Sequence, residues 1–176
     1  VWAQKVEQDS YGGGLLETVI ARSWQLLSPS DQNVLMQSTV FRGGFNIEAA
    51  EEVLQCDEDW TEDVLERLLD HSLLFVREET SGSRFYLYES VRAFCVPRVQ
   101  DGGFAPAFNA RYVAYFERFA STLHGTLRSG TEPSIFDRAH TQLLVDEDNF
   151  WQVFDQTHTH PNSTTGIIAL ILTYTS

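Results

Sequence analysis

Two short stretches of the sequence contain residue types that could perform chemistry. Asp70, His71 and Ser72 have the side chains of a hydrolytic triad, but they are consecutive, and on a helix their side chains diverge. "YGGGLLET" is rich in glycine, yet a phosphate-binding loop requires GxxxxGKS or GxxxxGKT, and no lysine follows here. No nucleophile elbow, SxxK pair or paired-carboxylate pattern is present either. We therefore predict that the chain is not an enzyme and that Gly12–Gly14 form a turn.

The patterns that could hold a metal ion are incomplete. His158 and His160 have a spacing that suits chelation from a strand, but Pro161 follows them and no third ligand is evident. The acidic stretch Asp146–Asn149 lacks the glycine and the spacing of a calcium loop. We interpret its role as local, because acids near a helix N-terminus favour the helix dipole. We predict no metal site.

Composition and charge limit the partners and the compartment. The 176 residues carry 25 acids and 12 bases, a net charge of −13, and a field of this sign repels phosphate backbones. Cys56 and Cys95 lie far apart without a CxxC motif, which predicts a reducing, cytoplasmic location. No apolar run reaches the ~18 residues of a membrane span, and no secretory signal is visible. We predict no membrane association.

The ends of the sequence predict a segment of a longer protein. The chain begins without an initiator methionine, and the apolar stretch "GIIALIL" near its end looks like an element that has only begun. We assign residues 1–14 to a linker or to the end of an upstream module.

The next part of the chain has the pattern of a helix-turn-helix. Apolar residues at helical spacing predict a helix over Leu15–Leu27 and another after the break at Ser28–Ser30, where either serine can be the N-cap. Gly43–Gly44 can adopt positive φ at little cost, and Asn46 is a good N-cap for a third helix. A steep corner of this kind between two helices is the geometry of a helix-turn-helix.

A further helix and a hairpin complete this group. Thr61 is predicted to cap the helix in "TEDVLERLLDHSLL", whose apolar residues have helical spacing. The stretches "LLFVREE", "TSGS" and "RFYLYE" then predict a strand, a turn and a second strand. Because a helical trio followed by a β-hairpin is the plan of a winged helix, we assign residues 15–101 to a winged-helix domain.

The sequence from Glu89 onward predicts helices only. Pro97 is expected to end or kink the first of them. A long amphipathic helix follows, and its aromatic stripe over Tyr112–Phe119 is expected to be core. The predicted fold class is thus mainly α: a winged helix with a three-helix core and a hairpin wing, followed by an α-helical segment over residues 102–176.

The helix that would recognise DNA in a winged helix has the wrong charge. It carries Glu62, Asp63, Glu66 and Asp70 against a single Arg67. Over residues 28–88, 13 acidic residues stand against four arginines, whereas recognition helices use basic and amide side chains. We therefore expect this face to contact protein rather than DNA.

Several motifs, taken in order, resemble a known family. "SWQLLSPSDQ", "TVFRGGF" and "IEAAEEV" are similar to segments that follow the nucleotide-binding module of bacterial STAND ATPases, which are NB-ARC-like signal-transduction ATPases with numerous domains. "LERLLDHSLLFVRE" and "RFYLYESVR" resemble later motifs of that family, and "RYVAYF" and "DEDNFWQVF" resemble helices that open its tetratricopeptide-like superhelix. Some members are transcription regulators with LuxR-type or SARP-type output domains.

This resemblance implies a regulatory role. In related proteins the winged helix packs on an upstream ATPase module when ADP is bound, and the superhelix senses a protein or small-molecule signal. ATP or ADP would then belong to the parent protein, with no cofactor in this segment. The partners implied are the ATPase module and the downstream helical repeats. An autonomous winged-helix regulator that binds DNA is the alternative.

Four residues are candidates for contacts with other modules. Several family members contact the ADP phosphate through the histidine of a Met-His-Asp-like motif, and Tyr88 and Glu89 stand in the matching positions here. The Tyr88 hydroxyl can still donate a hydrogen bond. Arg84 and Arg92, on either side of the second wing strand, are our candidates for interdomain polar contacts. We expect substitutions of these residues to change ATPase autoinhibition rather than folding.

Overall fold

The computed structural model describes residues 2–56, 60–129 and 132–157, with side chains for 14–56, 60–129 and 132–156. Its helices and strands are α1 (Trp2–Leu26), α2 (Pro29–Gln37), α3 (Ile47–Val53), α4 (Thr61–Asp70), β1 (Leu74–Glu79), β2 (Gly82–Leu87), α5 (Glu89–Asp101), α6 (Ala105–Arg128), α7 (Pro133–Val145) and α8 (Glu147–Thr157). The predicted fold class is confirmed, because the described residues are mainly helical and include one small antiparallel hairpin. Among the helices described, none has both the length and the hydropathy that a bilayer span requires.

Local capping explains where the early helices begin. Ser28 and Asp31 form a capping box at the start of α2, and Asn46 accepts a 3.0 Å hydrogen bond from the backbone of Ala49 at the start of α3. The prediction that Thr61 caps α4 is wrong. Thr61 is the first residue of that helix, and its hydroxyl lies 3.6 Å from the Cys56 sulfur instead.

Helix α1 is longer than the sequence predicted. It spans Trp2–Leu26, so the prediction of a turn at Gly12–Gly14 is wrong. A glycine inside a helix costs only about 1 kcal/mol relative to alanine, and a helix can continue through it. The Thr18 hydroxyl donates a 2.7 Å hydrogen bond to the carbonyl of Gly14 within the same helix.

Helix α5 likewise continues through a residue that was expected to end or kink it. Pro97 lies inside the helix, which ends only at Asp101. Buried side chains on both sides of the proline, Phe94 and Val99, anchor the two halves of α5 in the core.

The hydrophobic core is continuous across the boundary predicted at residues 101 and 102. One cluster of buried residues extends from Ile20 in α1 to Val153 in α8. Phe41 stacks on Phe45 at 4.4 Å between ring centres and contacts the Tyr112 ring of α6 edge-on at 5.5 Å. The buried side of the α6 aromatic stripe therefore belongs to the core, and it packs α8 against the first half of the chain.

Candidate functional site

The corner after α2 requires a glycine at position 44. Of the two corner glycines only Gly44 has a positive φ, +74°. A Cβ atom there would lie 2.6 Å from the Tyr86 ring and 2.8 Å from the Phe85 carbonyl oxygen. This close approach lets Phe45 exchange two backbone hydrogen bonds with Phe85, of 2.8 and 3.0 Å. The corner is therefore joined directly to β2.

Arg84, on β2, is a buried cation that connects the corner to α8. Only 2% of the residue is exposed, and its guanidinium donates hydrogen bonds of 2.8 and 3.4 Å to the carboxylate of Asp146. It also donates to the carbonyl oxygens of Gly43 at 3.2 Å and Gly44 at 3.1 Å. Burial lowers the pKa of Arg84, but the hydrogen bond and charge of Asp146 outweigh burial and raise the pKa, so the cation is retained.

Asn149, on α8, satisfies backbone groups of the same corner. Its Oδ1 accepts hydrogen bonds from the backbone N–H groups of Arg42 at 2.9 Å and Gly43 at 3.4 Å. Its Nδ2 donates to the Gly44 carbonyl at 2.9 Å and to Asp146 at 3.0 Å. The residue has no exposed surface. The Asn149 side chain therefore forms the hydrogen bonds that water would otherwise form with the backbone of the corner.

Tyr112 links the same groups to α6. Its hydroxyl lies 3.1 Å from both the backbone oxygen and Oδ1 of Asn149. Burial, followed by the charge of Asp146, raises the pKa of Tyr112, so the hydroxyl keeps its proton as a donor. We call Arg84, Asp146, Asn149 and Tyr112 the junction network, because they connect the corner and β2 to α6 and α8.

The junction network corrects the interpretation of Asp146–Asn149 as a purely local helix start. Glu147 and Asp148 do lie in the first turn of α8, where the helix dipole favours acids. The two outer residues of the stretch are buried and bind groups more than 60 positions away in the sequence, such as Arg84, 62 residues from Asp146. Their main contacts are therefore tertiary.

A sharp corner between α2 and α3, a third helix α4 and then a hairpin are the parts of a winged helix in their expected order. Residues 27–100 match the family model of the winged helix-turn-helix domain. These residues form a winged helix-turn-helix domain. No match was found among curated proteins or among solved structures.

Arg92, on α5 of the winged-helix domain, holds the carbonyl end of the turn after α2. Its guanidinium donates to the carbonyl oxygens of Thr39 and of Phe41, the latter at 2.7 Å. The side chain is 15% exposed and lies 3.4 Å from the carboxylate of Glu89. Burial lowers the pKa of Arg92, with partial compensation by Glu89. Most of its hydrogen-bonding capacity is thus used inside the winged-helix domain.

The two arginines predicted as interdomain contacts therefore have partners within this chain. Arg84 contacts the helical segment through Asp146, but its burial leaves no surface for an outside module. Because removing a buried cation from its carboxylate partner destabilises a fold, we now expect substitution of Arg84 to affect folding as well. Arg92 keeps a small exposed edge beside Glu89.

Tyr88 and Glu89 are both exposed, at the start of α5. Tyr88 occupies the N-cap position, is 43% exposed, and its ring lies 4.6 Å from that of Phe75 between centres. The Glu89 side chain is 87% exposed. Both side chains have surface free to meet a neighbouring module, and whether either contacts nucleotide stays a prediction.

An open groove of about 810 Å³ runs between α5 and α8 beside these residues. Its lining includes Arg42, Glu89, Arg92, Asp148 and Trp151. The structure thus brings Glu89 and Arg92 together at one surface feature, while Arg84 lies buried in the junction network. The groove mixes both signs of charge and has no single charge character.

The outward face of α4 is acidic, as the sequence predicted. Glu62, Asp63, Glu66 and Asp70 are all exposed. Arg67 is turned toward α2, where it donates a 2.7 Å hydrogen bond to Asp31. Burial raises the pKa of Asp31, but hydrogen bonds from Arg67 and Ser28 outweigh burial and hold the pKa below its usual value. The unpaired charges exposed on α4 are therefore carboxylates, and the Arg67 side chain, although 39% exposed, is paired with Asp31.

The residues that could form a catalytic or metal site are not assembled as one in the part of the chain that the structure describes. No hydrogen bond joins the side chains of Asp70, His71 and Ser72, and Ser72 turns away from α4 with a φ of +55°. Within the described residues, no three potential ligands are grouped around a metal position. His158 and His160 lie outside those residues, so their assignment stays a prediction.

Proposed function

We propose that this chain is a non-catalytic regulatory module of a STAND-type signal-transduction ATPase. Its winged-helix domain would couple the nucleotide state of an upstream ATPase domain to a downstream, tetratricopeptide-like helical sensor in the cytoplasm. The observation that carries the proposal is the acidic outward face of α4 in a domain of winged-helix architecture. A carboxylate-covered recognition helix repels phosphate and is suited to protein contact.

The junction network supports the coupling part of the proposal. It ties the corner and β2 of the winged-helix domain to α8 through Arg84, Asp146 and Asn149, all buried. The shared aromatic core adds Tyr112 and Phe116 of α6 to the same contact. A displacement of the winged-helix domain would therefore carry the helical segment with it, as signal transfer through packed elements requires.

An apolar stripe on α1 supports contact with an upstream module. Leu15, Val19 and Leu26 lie close to one line along the helix and are 70%, 54% and 73% exposed. The opposite side of the same helix is packed, with Ile20 only 5% exposed. Three large apolar side chains aligned on an exposed helix face are typical of a docking surface.

We expect the double substitution Val19→Asp and Leu26→Asp to abolish a complex with the upstream segment while leaving the fold intact. Both side chains are exposed, so the substitutions create no cavity, whereas two carboxylates in an apolar contact are strongly unfavourable. The measurement is co-expression of this chain with the coding region upstream of residue 1, followed by size-exclusion chromatography with ADP and with ATP.

The matched control places the same two charges on a neighbouring line of α1, through Thr18→Asp and Gln25→Asp. Both residues are exposed, so this variant changes the net charge equally without touching the apolar stripe. It should bind the upstream segment as the native chain does. Failure of the native chain to bind in both nucleotide states, or an upstream region without a Walker A motif, would remove the proposal.

Tyr88 and Glu89 are the proposed contacts to the ATPase domain. They are exposed side by side at the start of α5, and the Tyr88 hydroxyl is available as a hydrogen-bond donor. ATP or ADP would be held by the upstream domain, and Tyr88 and Glu89 would at most contact the edge of the nucleotide.

DNA binding is the second candidate function, and the family match itself favours it. Residues 27–100 have the architecture in which α4 enters the major groove and the hairpin lies beside the backbone. The two functions differ in one outcome: only the DNA-binding regulator forms a salt-dependent complex with duplex DNA.

A further inference from the structure

We propose that a groove between α3, α4 and the hairpin turn binds a basic, partly apolar segment of a partner protein. We call it the wing groove. It measures about 410 Å³, with Ile47, Leu69 and Phe85 among its half-buried apolar lining and Glu48, Glu62 and Glu66 on its exposed edge. The proposal rests on the regulatory role proposed above and adds the chemistry of the partner.

The three carboxylates of the wing groove have no cation of their own. Among the described residues, none of Glu48, Glu62 and Glu66 forms an ion pair or a hydrogen bond through its carboxylate. The arginines on the surrounding elements are engaged elsewhere: Arg67 contacts Asp31, Arg118 of α6 contacts Glu52, Arg84 contacts Asp146, and the Arg77 guanidinium lies over the rings of Phe75 and Tyr86. A cation from outside would therefore meet three uncompensated charges.

The apolar lining determines what kind of cation fits. Phe85 and Leu69 are half-buried, so each presents apolar surface to the groove. Arginine and lysine side chains lay their methylene stems along apolar surface while the charged head remains at the polar edge. Arginine also stacks on aromatic rings and binds carboxylates through two parallel hydrogen bonds. Basic side chains flanked by apolar ones thus match both parts of the wing groove.

Two other ligand classes fit the wing groove less well. A divalent cation would need ligands grouped around one point, and the described residues contain no such group of three. A nucleic acid would bring phosphates to a groove whose charged lining residues are all carboxylates. A protein segment with positive charge is the occupant that charge complementarity selects.

The test uses a fluorescein-labelled peptide of arginine, leucine and serine, titrated with the native chain by fluorescence anisotropy. A second peptide carries citrulline, which has the shape of arginine without its charge. We expect binding of the arginine peptide only. The double variant Glu62→Gln and Glu66→Gln should weaken that binding by about two- to thirtyfold, the effect of losing two exposed ion pairs.

The matched control is Asp63→Asn with Asp70→Asn, which removes two charges from the same helix outside the wing groove. It should weaken binding less than the Glu62→Gln and Glu66→Gln variant does, because neither carboxylate lines the groove and so neither can pair directly with a cation bound there. Equal weakening by both double variants, equal binding of the citrulline peptide, or no binding of the arginine peptide would overturn the wing-groove proposal. If the α1-dependent complex still forms in that case, the regulatory role stands. Duplex DNA that binds and displaces the peptide would overturn both.

Discussion

Replacing Arg84 with methionine is expected to lower the free energy of unfolding by about 3–5 kcal/mol. The substitution leaves Asp146 as a buried carboxylate without its cation; the two side chains are 3% and 9% exposed in the native chain. It also removes the hydrogen bonds that Arg84 donates to the carbonyl oxygens of Gly43 and Gly44. Urea unfolding followed by circular dichroism measures the loss.

The double variant Arg84→Met with Asp146→Leu is the control for this effect. Replacing both members of a buried ion pair by apolar residues avoids the uncompensated charge and often restores stability. We expect the double variant to recover a large part of the loss, although the 3.0 Å hydrogen bond from Asn149 to Asp146 is also removed. A single-variant loss below about 1 kcal/mol, the range of exposed pairs, would show that the pair is not buried as described.

Substitution of Gly44 by alanine is expected to lower the free energy of unfolding by about 2–5 kcal/mol. A left-handed φ costs a non-glycine residue roughly 1–2 kcal/mol, and Gly44 has a φ of +74°. The added methyl would also lie 2.6 Å from the Tyr86 ring and 2.8 Å from a backbone oxygen, and forcing a group into a packed site costs about 1–3 kcal/mol. The measurement is again urea unfolding.

Gly103 separates the two contributions to the Gly44 effect. It has a similar φ of +68°, but a Cβ atom there would meet nothing within 4 Å. The free energy of unfolding of the variant Gly103→Ala should therefore fall by only roughly 1–2 kcal/mol, the cost of backbone strain. Equal losses at the two glycines would contradict the close approach of the corner to β2.

Local features of the fold were predictable because their causes lie within a few residues. The capping box at Ser28, the N-cap at Asn46 and the hairpin after α4 each follow from side chains that act on neighbouring backbone groups. The wrong turn at Gly12–Gly14 and the expected helix end at Pro97 both lie where local propensity opposes a helix that continues nevertheless. Propensity is a weak guide in those positions.

The junction network was not predictable in the same way, because its members are distant in sequence. Asn149 contacts the backbone of Arg42 across 107 positions, and no local pattern specifies that pairing. One signal was present: Asp146 and Asn149 are spaced so that both side chains lie on the same face of a helix start. Arg84 was predicted as an interdomain contact, and its burial against Asp146 within this chain was missed.

The sign of the charge on α4 was predictable, because surface charge depends on composition more than on packing. Glu62, Glu66 and Asp70 are exposed, as their positions opposite the apolar stripe of the helix indicated. The wing groove was not predictable from the sequence, because its apolar lining comes from α3, α4 and β2 together.

The central claim, that this winged-helix domain meets protein rather than DNA, is tested most directly by titrating the native chain into labelled random duplex at low salt. Non-specific DNA binding usually has a Kd of about 1–100 μM, so the titration should reach about 100 μM. A triple variant with Glu62→Arg, Glu66→Arg and Asp70→Arg serves as the positive control, since it reverses the charge of the α4 face. We predict no binding by the native chain and salt-dependent binding by the triple variant. Binding of the duplex by the native chain in this range would contradict the claim.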